Sequence, residues 1–82
     1  MRKPKAISKE TAVVFGRVLK TYRAQKGMSQ ESLAERSELH RTYISLLERG
    51  KQQPALSTVI QLARALSIPA SEMIDAVDAE IQ

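Results

Sequence analysis

The 82-residue chain has no cysteine and no tryptophan, a single histidine, and only Phe15, Tyr22 and Tyr43 as aromatic residues. Without cysteine there is no disulfide, no thiolate zinc site and no thiol nucleophile. His40 stands without a carboxylate cluster on one face, which is too little for a metal site, and no serine has a histidine–carboxylate pair to activate it. Glycine-rich phosphate loops are absent as well. No apolar run approaches the roughly 18 residues of a membrane span, and the basic start, Met1 to Ile7, lacks the apolar segment of a signal peptide. Asp75 and Asp78 stand i, i+3 on an acidic tail and read as a solvated face, not a catalytic pair. The expectation is therefore no enzyme, no cofactor, no metal, no small-molecule ligand and no membrane.

Aliphatic residues supply nearly all of the 43% hydrophobic content. That suffices for a modest helical core and argues against disorder. A single domain this small buries only about 60% of its unfolded surface, so its margin of stability is thin. The net charge of +4 is unevenly placed. All basic residues except Arg64 precede Ala55, whereas Glu72, Asp75, Asp78 and Glu80 follow it. A basic front and an acidic tail suggest a polyanion-binding surface apart from a second, self-associating region; the plainer reading is an uneven solvated surface.

Periodicity divides the chain into helices. Ser8 caps a first one, with Glu10 in its first turn at the positive dipole end. Phe15, Val18, Leu19 and Tyr22 repeat at i, i+3, i+4, i+7 and face a core; Gly27 then stops the helix. Gly16 inside it gives up about 1 kcal/mol of propensity, which points to close packing there or to none. Ser29 caps a second helix, Gln30 to about Ser37. After a tight joint at Ser37-Glu38-Leu39, a third runs from about Arg41 to Glu48, with His40 near its cap. Two short amphipathic pieces, one with Leu33 and Ala34, the other with Ile44 and Leu47, make the pattern of a helix-turn-helix, whose second helix lies in the DNA major groove. Gly50 and Pro54 bound a turn. Val59, Leu62, Ala63 and Leu66 define a fourth helix from about Leu56 to Leu66, poorly capped at Ala55. Pro69 precedes a fifth, from about Ala70 to Ala79. Its stripe of Ala70, Met73, Ile74, Val77 and Ile81 extends past a four-helix core, so Val77 and Ile81 are expected to be uncovered. An uncovered stripe suggests a partner; the alternative is a frayed tail.

Ser29-Gln30-Glu31-Ser32-Leu33-Ala34 is similar to the SQ-x-x-LA opening of the phage-repressor-like helix-turn-helix family (Cro/C1-type, XRE-like). Ile44-Ser45-Leu46-Leu47-Glu48-Arg49-Gly50 resembles that family's IS-x-(I/L)-ERG segment, and Pro54, Leu56, Leu62-Ala63 and Leu66 resemble its fourth helix. The likeness covers roughly Phe15 to Met73, and the three segments in order are far more specific than any one alone. Arg41-Thr42-Tyr43-Ile44-Ser45 also resembles the small controllers of restriction-modification systems. The resemblance implies an all-α, five-helix, lambda-repressor-like domain. It implies a cytoplasmic transcription regulator, bacterial or phage-encoded, that binds a pseudo-palindromic operator in double-stranded DNA as a homodimer. The sequence departs from the family at Glu38, where glycine usually takes a positive φ, and at Ala55, where serine or threonine is preferred.

With Ile44 and Leu47 turned inward, an advance of about 100° per residue turns Thr42, Ser45, Leu46 and Arg49 outward and leaves Arg41 and Tyr43 on the flanks. Short hydroxyls let a helix sit deep in the groove, an arginine can fork onto guanine O6 and N7, and an apolar group can touch a thymine methyl. Given the resemblance, the expected base contacts are Arg41 foremost, then Thr42, Ser45, Tyr43 and Leu46; for each the alternative is ordinary surface, and for Tyr43 it is packing. Gln30, which in the family reaches the DNA backbone from a helix N-terminus, joins Arg49, Lys51 and Gln52 as expected backbone contacts, which position without specifying. The resemblance pairs Glu48 with an arginine of the first helix, Arg23 first and Arg17 second. Met73, Ile74, Val77 and Ile81 are the expected dimer face, which would set two recognition helices about one DNA turn, ~34 Å, apart. Residues 1–7, with Arg2, Lys3 and Lys5 around Pro4, are expected to be a flexible arm ahead of a domain at 8–82 that ends in a dimerisation helix at about 70–81. The rival is a protein-binding module of the same fold, either an antitoxin or a coactivator-like adaptor.

Overall fold

Leu19, Leu33, Ile44, Leu47, Leu62, Leu66 and Met73 are sealed from solvent, and every helix of the chain has at least one of them in or at its end. The computed structural model describes the backbone of residues 4–81 and the side chains of residues 9–81. Its helices are α1 (Pro4–Gln25), α2 (Gln30–Ser37), α3 (Arg41–Glu48), α4 (Leu56–Ala65) and α5 (Ala70–Ile81). α1 packs against α3 and α5, α2 against α3 and α4, and α4 against α5. Branched aliphatic side chains interlock at short helix separations, so Phe15 is the one fully buried aromatic that the described core needs.

α1 begins at Pro4, not after Ser8. Proline suits a first helical turn because it lacks an N–H and has a helical φ. Residues Pro4 to Ile7, expected in a flexible arm, are thus helical, and Ser8 lies inside the helix and does not cap it. The rest of that arm, Met1 to Lys3, lies outside the described residues.

Helices α1 to α4 all stop in the same way. The amide of a left-handed residue and the amide after it bond back to the last turn. The pairs are Gly27 to Ala24 and Met28 to Arg23, Glu38 to Glu35 and Leu39 to Ala34, Gly50 to Leu47 and Lys51 to Leu46, and Ser67 to Arg64 and Ile68 to Ala63. Glu38 (φ 61°) and Ser67 (φ 59°) hold this conformation with a side chain, at about 1 kcal/mol each. The residues that follow them, Leu39 and Ile68, pack against the core and hold the turns in place.

Gly16 is where α1 meets the end of α3. A Cβ at this position would collide with the Leu47 carbonyl oxygen and lie 2.7 Å from that of Glu48. One turn earlier on α1, a Cβ on Gly50 would lie 3.1 Å from Val13 Cα. The C-terminal end of α3 therefore rests on α1 backbone to backbone.

α5 corrects the expected dimer face. Met73 (0% exposed) and Val77 (6%) belong to the core, so neither is available to a partner. Ile81 is half-buried against that core, and of the four only Ile74, at 45%, is exposed. The reason is that α1 covers the α5 stripe. Tyr22 Oη donates to Glu72 Oε2 at 2.8 Å and Arg17 Nη2 to Glu80 Oε1 at 2.5 Å, tying the two helices together. Donation to the Glu72 carboxylate raises the Tyr22 pKa above its ordinary value.

Alanine has the better helix propensity by about 1 kcal/mol, but its methyl at position 16 would meet carbonyl oxygens that cannot rotate away. Gly16→Ala should therefore lower the unfolding free energy in urea by about 1–3 kcal/mol. A more stable variant would contradict the seating of α3 on α1.

Candidate nucleic-acid interface

α2 starts at Ser29, whose Oγ accepts from the Ser32 amide at 3.0 Å. It ends at Ser37, whose buried hydroxyl donates to the Leu33 carbonyl at 2.7 Å. Gln61 of α4 donates Nε2 to the Ser37 carbonyl at 3.3 Å, so the joint between α2 and α3 is held from outside as well. Beyond it, Ile44 and Leu47 fix the inner side of α3.

The opposite side of α3 is polar and basic. Arg41, Thr42 and Arg49 are exposed, whereas Ser45 and Leu46 are half-buried. Tyr43 is half-buried and packs against the core. Arg49 Nε donates to the Ser45 carbonyl at 3.4 Å, along the helix end. Lys51 and Gln52 are exposed just past Gly50. Exposed cations thus stand at the start of α3 (Arg41), at its cap (Arg49) and in the turn after it (Lys51).

The acid of this region is withdrawn from the surface. The Glu48 side chain is 4% exposed. Its carboxylate accepts from Arg23 Nε at 2.6 Å, from Arg23 Nη2 at 3.0 Å and from Gln30 Nε2 at 3.0 Å. The two arginine bonds form a fork, the stronger geometry for this pair, and the bond to Glu48 raises the Arg23 pKa against the effect of burial. Arg23 Nη1 donates to the Met28 carbonyl at 2.8 Å, reaching the turn between α1 and α2. Arg17, the other candidate, faces Glu80 instead.

Gln30 extends this chain of bonds. A carboxylate only accepts, so the amide nitrogen of Gln30 faces Glu48 and its oxygen faces outward. That oxygen accepts from Arg41 Nη1 at 3.4 Å. Arg41 Nε also lies 3.8 Å from Glu31 Oε2. The contacts run from α1 through the end of α3 to α2 and return to the first residue of α3. Sequence reasoning missed Glu31 here, since residues ten apart on two helices carry no periodic signal.

It missed a second feature, an apolar edge on α4. Leu56 is 72% exposed and Ile60 36%, and on α5 Ile74 is 45% exposed. Leu56 and Ile74 line one groove between α4 and α5, with Pro54 at its rim. The i, i+4 spacing of Leu56 and Ile60, beside the Val59–Leu62–Ala63–Leu66 stripe, was the available signal. Among the described residues, no group of three or more His, Cys, Asp or Glu could hold a metal ion, and no helix is long and apolar enough to cross a membrane.

The family pattern described as Helix-turn-helix matches residues 19–73. Control protein C.BamHI of Bacillus amyloliquefaciens is 38% identical over 64 residues, covering 77% of this chain and 79% of that protein. The crystal structure of the restriction-modification controller protein C.AhdI from Aeromonas hydrophila superposes with a TM-score of 0.74 at 42% identity, covering 76% of this chain and 94% of that one. The controller C.Esp1396I, solved as a tetramer in complex with its natural 35 base-pair operator, superposes with a TM-score of 0.79 at 31% identity, covering 87% of this chain and 93% of that one.

Removing Arg23 alone would strand a buried carboxylate. Arg23→Met should cost about 3–5 kcal/mol of stability, whereas Arg23→Met with Glu48→Leu should cost far less. Thermal unfolding of the single and double variants measures this, and equal losses would contradict the pairing.

Proposed function

The chain belongs to the helix-turn-helix family of transcription regulators that includes the restriction-modification control proteins, and we propose that it binds a pseudo-palindromic operator as a homodimer with α3 in the major groove. It is a DNA-binding regulator and not an enzyme. The observation that carries the finer reading is the sorting of charge on α3. Glu48 is buried and paired, while Thr42 and Arg49 are exposed on the side away from Ile44 and Leu47 and Arg41 is exposed on its flank.

In this reading Arg41 forks onto a guanine, Thr42 and Ser45 read neighbouring base edges, and Leu46 meets a thymine methyl. Tyr43, held partly by the core, reaches the base or phosphate beside them. Arg49, Lys51 and Gln52 hold the backbone with their side chains, Gln30 with the second hydrogen of its amide nitrogen, and these contacts set the register. The described helices, α1 to α5, act as one DNA-binding unit in the cytoplasm of a bacterium. The names of its relatives support a controller that sets expression of restriction-modification genes, and the operator-bound tetramer of C.Esp1396I supports action as an oligomer. In this reading the two-fold contact uses Leu56 and Ile74, exposed apolar groups that line one groove, with Ile60 one turn further along α4 and Met73 and Val77 supporting them from within. No observation favours the antitoxin or adaptor reading.

A duplex selected from a random pool tests the assignment. Affinity for it should fall steeply with salt. Arg41→Ala should relax preference at one base position by about 1–3 kcal/mol, whereas Lys51→Ala should weaken all duplexes alike. DNA binding unaffected by either change would overturn the reading. Sedimentation of the Leu56→Asp, Ile74→Asp double variant should show monomer at concentrations where the parent is dimeric, and an unchanged dimer would remove the α4–α5 contact.

A further inference from the structure

Glu31 makes a modest contribution to the fold: it stands in the first turn of α2, where the helix dipole favours a carboxylate, and its charge helps to raise the Arg23 pKa. Its α2 N-terminus is already capped by Ser29. Its carboxylate is 74% exposed and stands 3.8 Å from Arg41 Nε, itself on a half-exposed side chain. An exposed ion pair of this kind contributes little to stability. Yet it occupies the edge of the surface from which the other acid, Glu48, has been buried and neutralised. A carboxylate beside a surface that takes up DNA opposes binding by its charge, at every site alike.

We infer that Glu31 is a specificity-determining residue, which orients Arg41 by its Nε edge so that the rest of its fork meets a matching base already aimed. The inference rests on Arg41 as a base contact. Arginine carries five N–H donors in a rigid fork. Here Nε points to Glu31 and Nη1 to Gln30 Oε1. Nη2 and the second Nη1 hydrogen remain for guanine O6 and N7. A fork fixed in this way loses less freedom on meeting the base. At a mismatched site Arg41 gains no base acceptor, and its fixed fork brings no advantage there. The repulsion of DNA by Glu31 weakens matched and mismatched complexes alike, so discrimination comes from the aim that Glu31 gives Arg41.

The test compares the parent, Glu31→Gln, Arg41→Ala and the double variant. The probes are the duplex selected by the parent and a scrambled duplex of equal composition, titrated by fluorescence anisotropy at several salt concentrations. The ratio of the two affinities within one variant does not depend on the folded fraction, so a folding defect cannot imitate the effect. Glu31→Gln should bind the scrambled duplex several-fold more tightly and lower the selected-to-scrambled ratio by roughly tenfold. In the Arg41→Ala background it should strengthen both complexes equally and leave the ratio alone. If Arg41→Ala collapses the ratio but Glu31→Gln does not change it, the inference fails and the base reading stands. An equal fall of the ratio with and without Arg41 also overturns it, because Glu31 would not be acting through Arg41. A ratio unchanged by Arg41→Ala removes both.

Discussion

Glu48 sits at the C-terminal end of α3, where the helix dipole disfavours a negative charge, and its side chain is almost wholly removed from water. Either condition alone would make a carboxylate unfavourable. It is tolerated because Arg23 supplies a forked pair and Gln30 a third donor. Those donors come from α1 and α2, so satisfying one buried charge fixes three helices together. Specificity of arrangement is what such a buried pair supplies best, since it is weak evidence for net stability. In this molecule the arrangement it fixes is the one that aims α3.

The backbone contact at Gly16 acts in the same direction. It lets the α3 carbonyls rest on α1 with no side chain between them, while Ile44 and Leu47 fill the space beneath. The shared form of the helix ends then keeps each connection short, through two glycines and through Glu38 and Ser67 in a left-handed conformation. A small chain with few aromatics can thus hold its outward face rigid. Arg41 benefits most directly, because Gln30 links it to Glu48 and from there to α1.

Where the sequence carried a clear period, the fold could be read from it. The bounds of α2 and α3, and the α4 stripe of Val59, Leu62, Ala63 and Leu66, followed from spacing and caps. The start of α1 did not, because Pro4 favours a helix only if the residues after it continue one. Ser67 gave no sign of its positive φ, which is imposed by Ile68 packing on the core. On α5 the period located the apolar stripe but not its cover. Only the placement of α1 decides that Met73 and Val77 are inside and Ile74 outside. The same limit applies to the surface around α3. Two arginines on α1 were open to Glu48, and tertiary placement sends Arg17 to Glu80 and Arg23 to Glu48. The contact of Glu31 with Arg41 belongs to this class, since it exists only once the joint at Glu38 has folded α3 back against α2.

The most direct test of the central claim is an amide chemical-shift titration of isotope-labelled protein with its selected duplex. If α3 is the element aimed at DNA, the largest changes will fall at Gln30 and Glu31, from His40 to Arg49, and at Lys51 and Gln52, with α5 nearly still. Changes centred on α4 and α5, with α3 unmoved by saturating duplex, would contradict it.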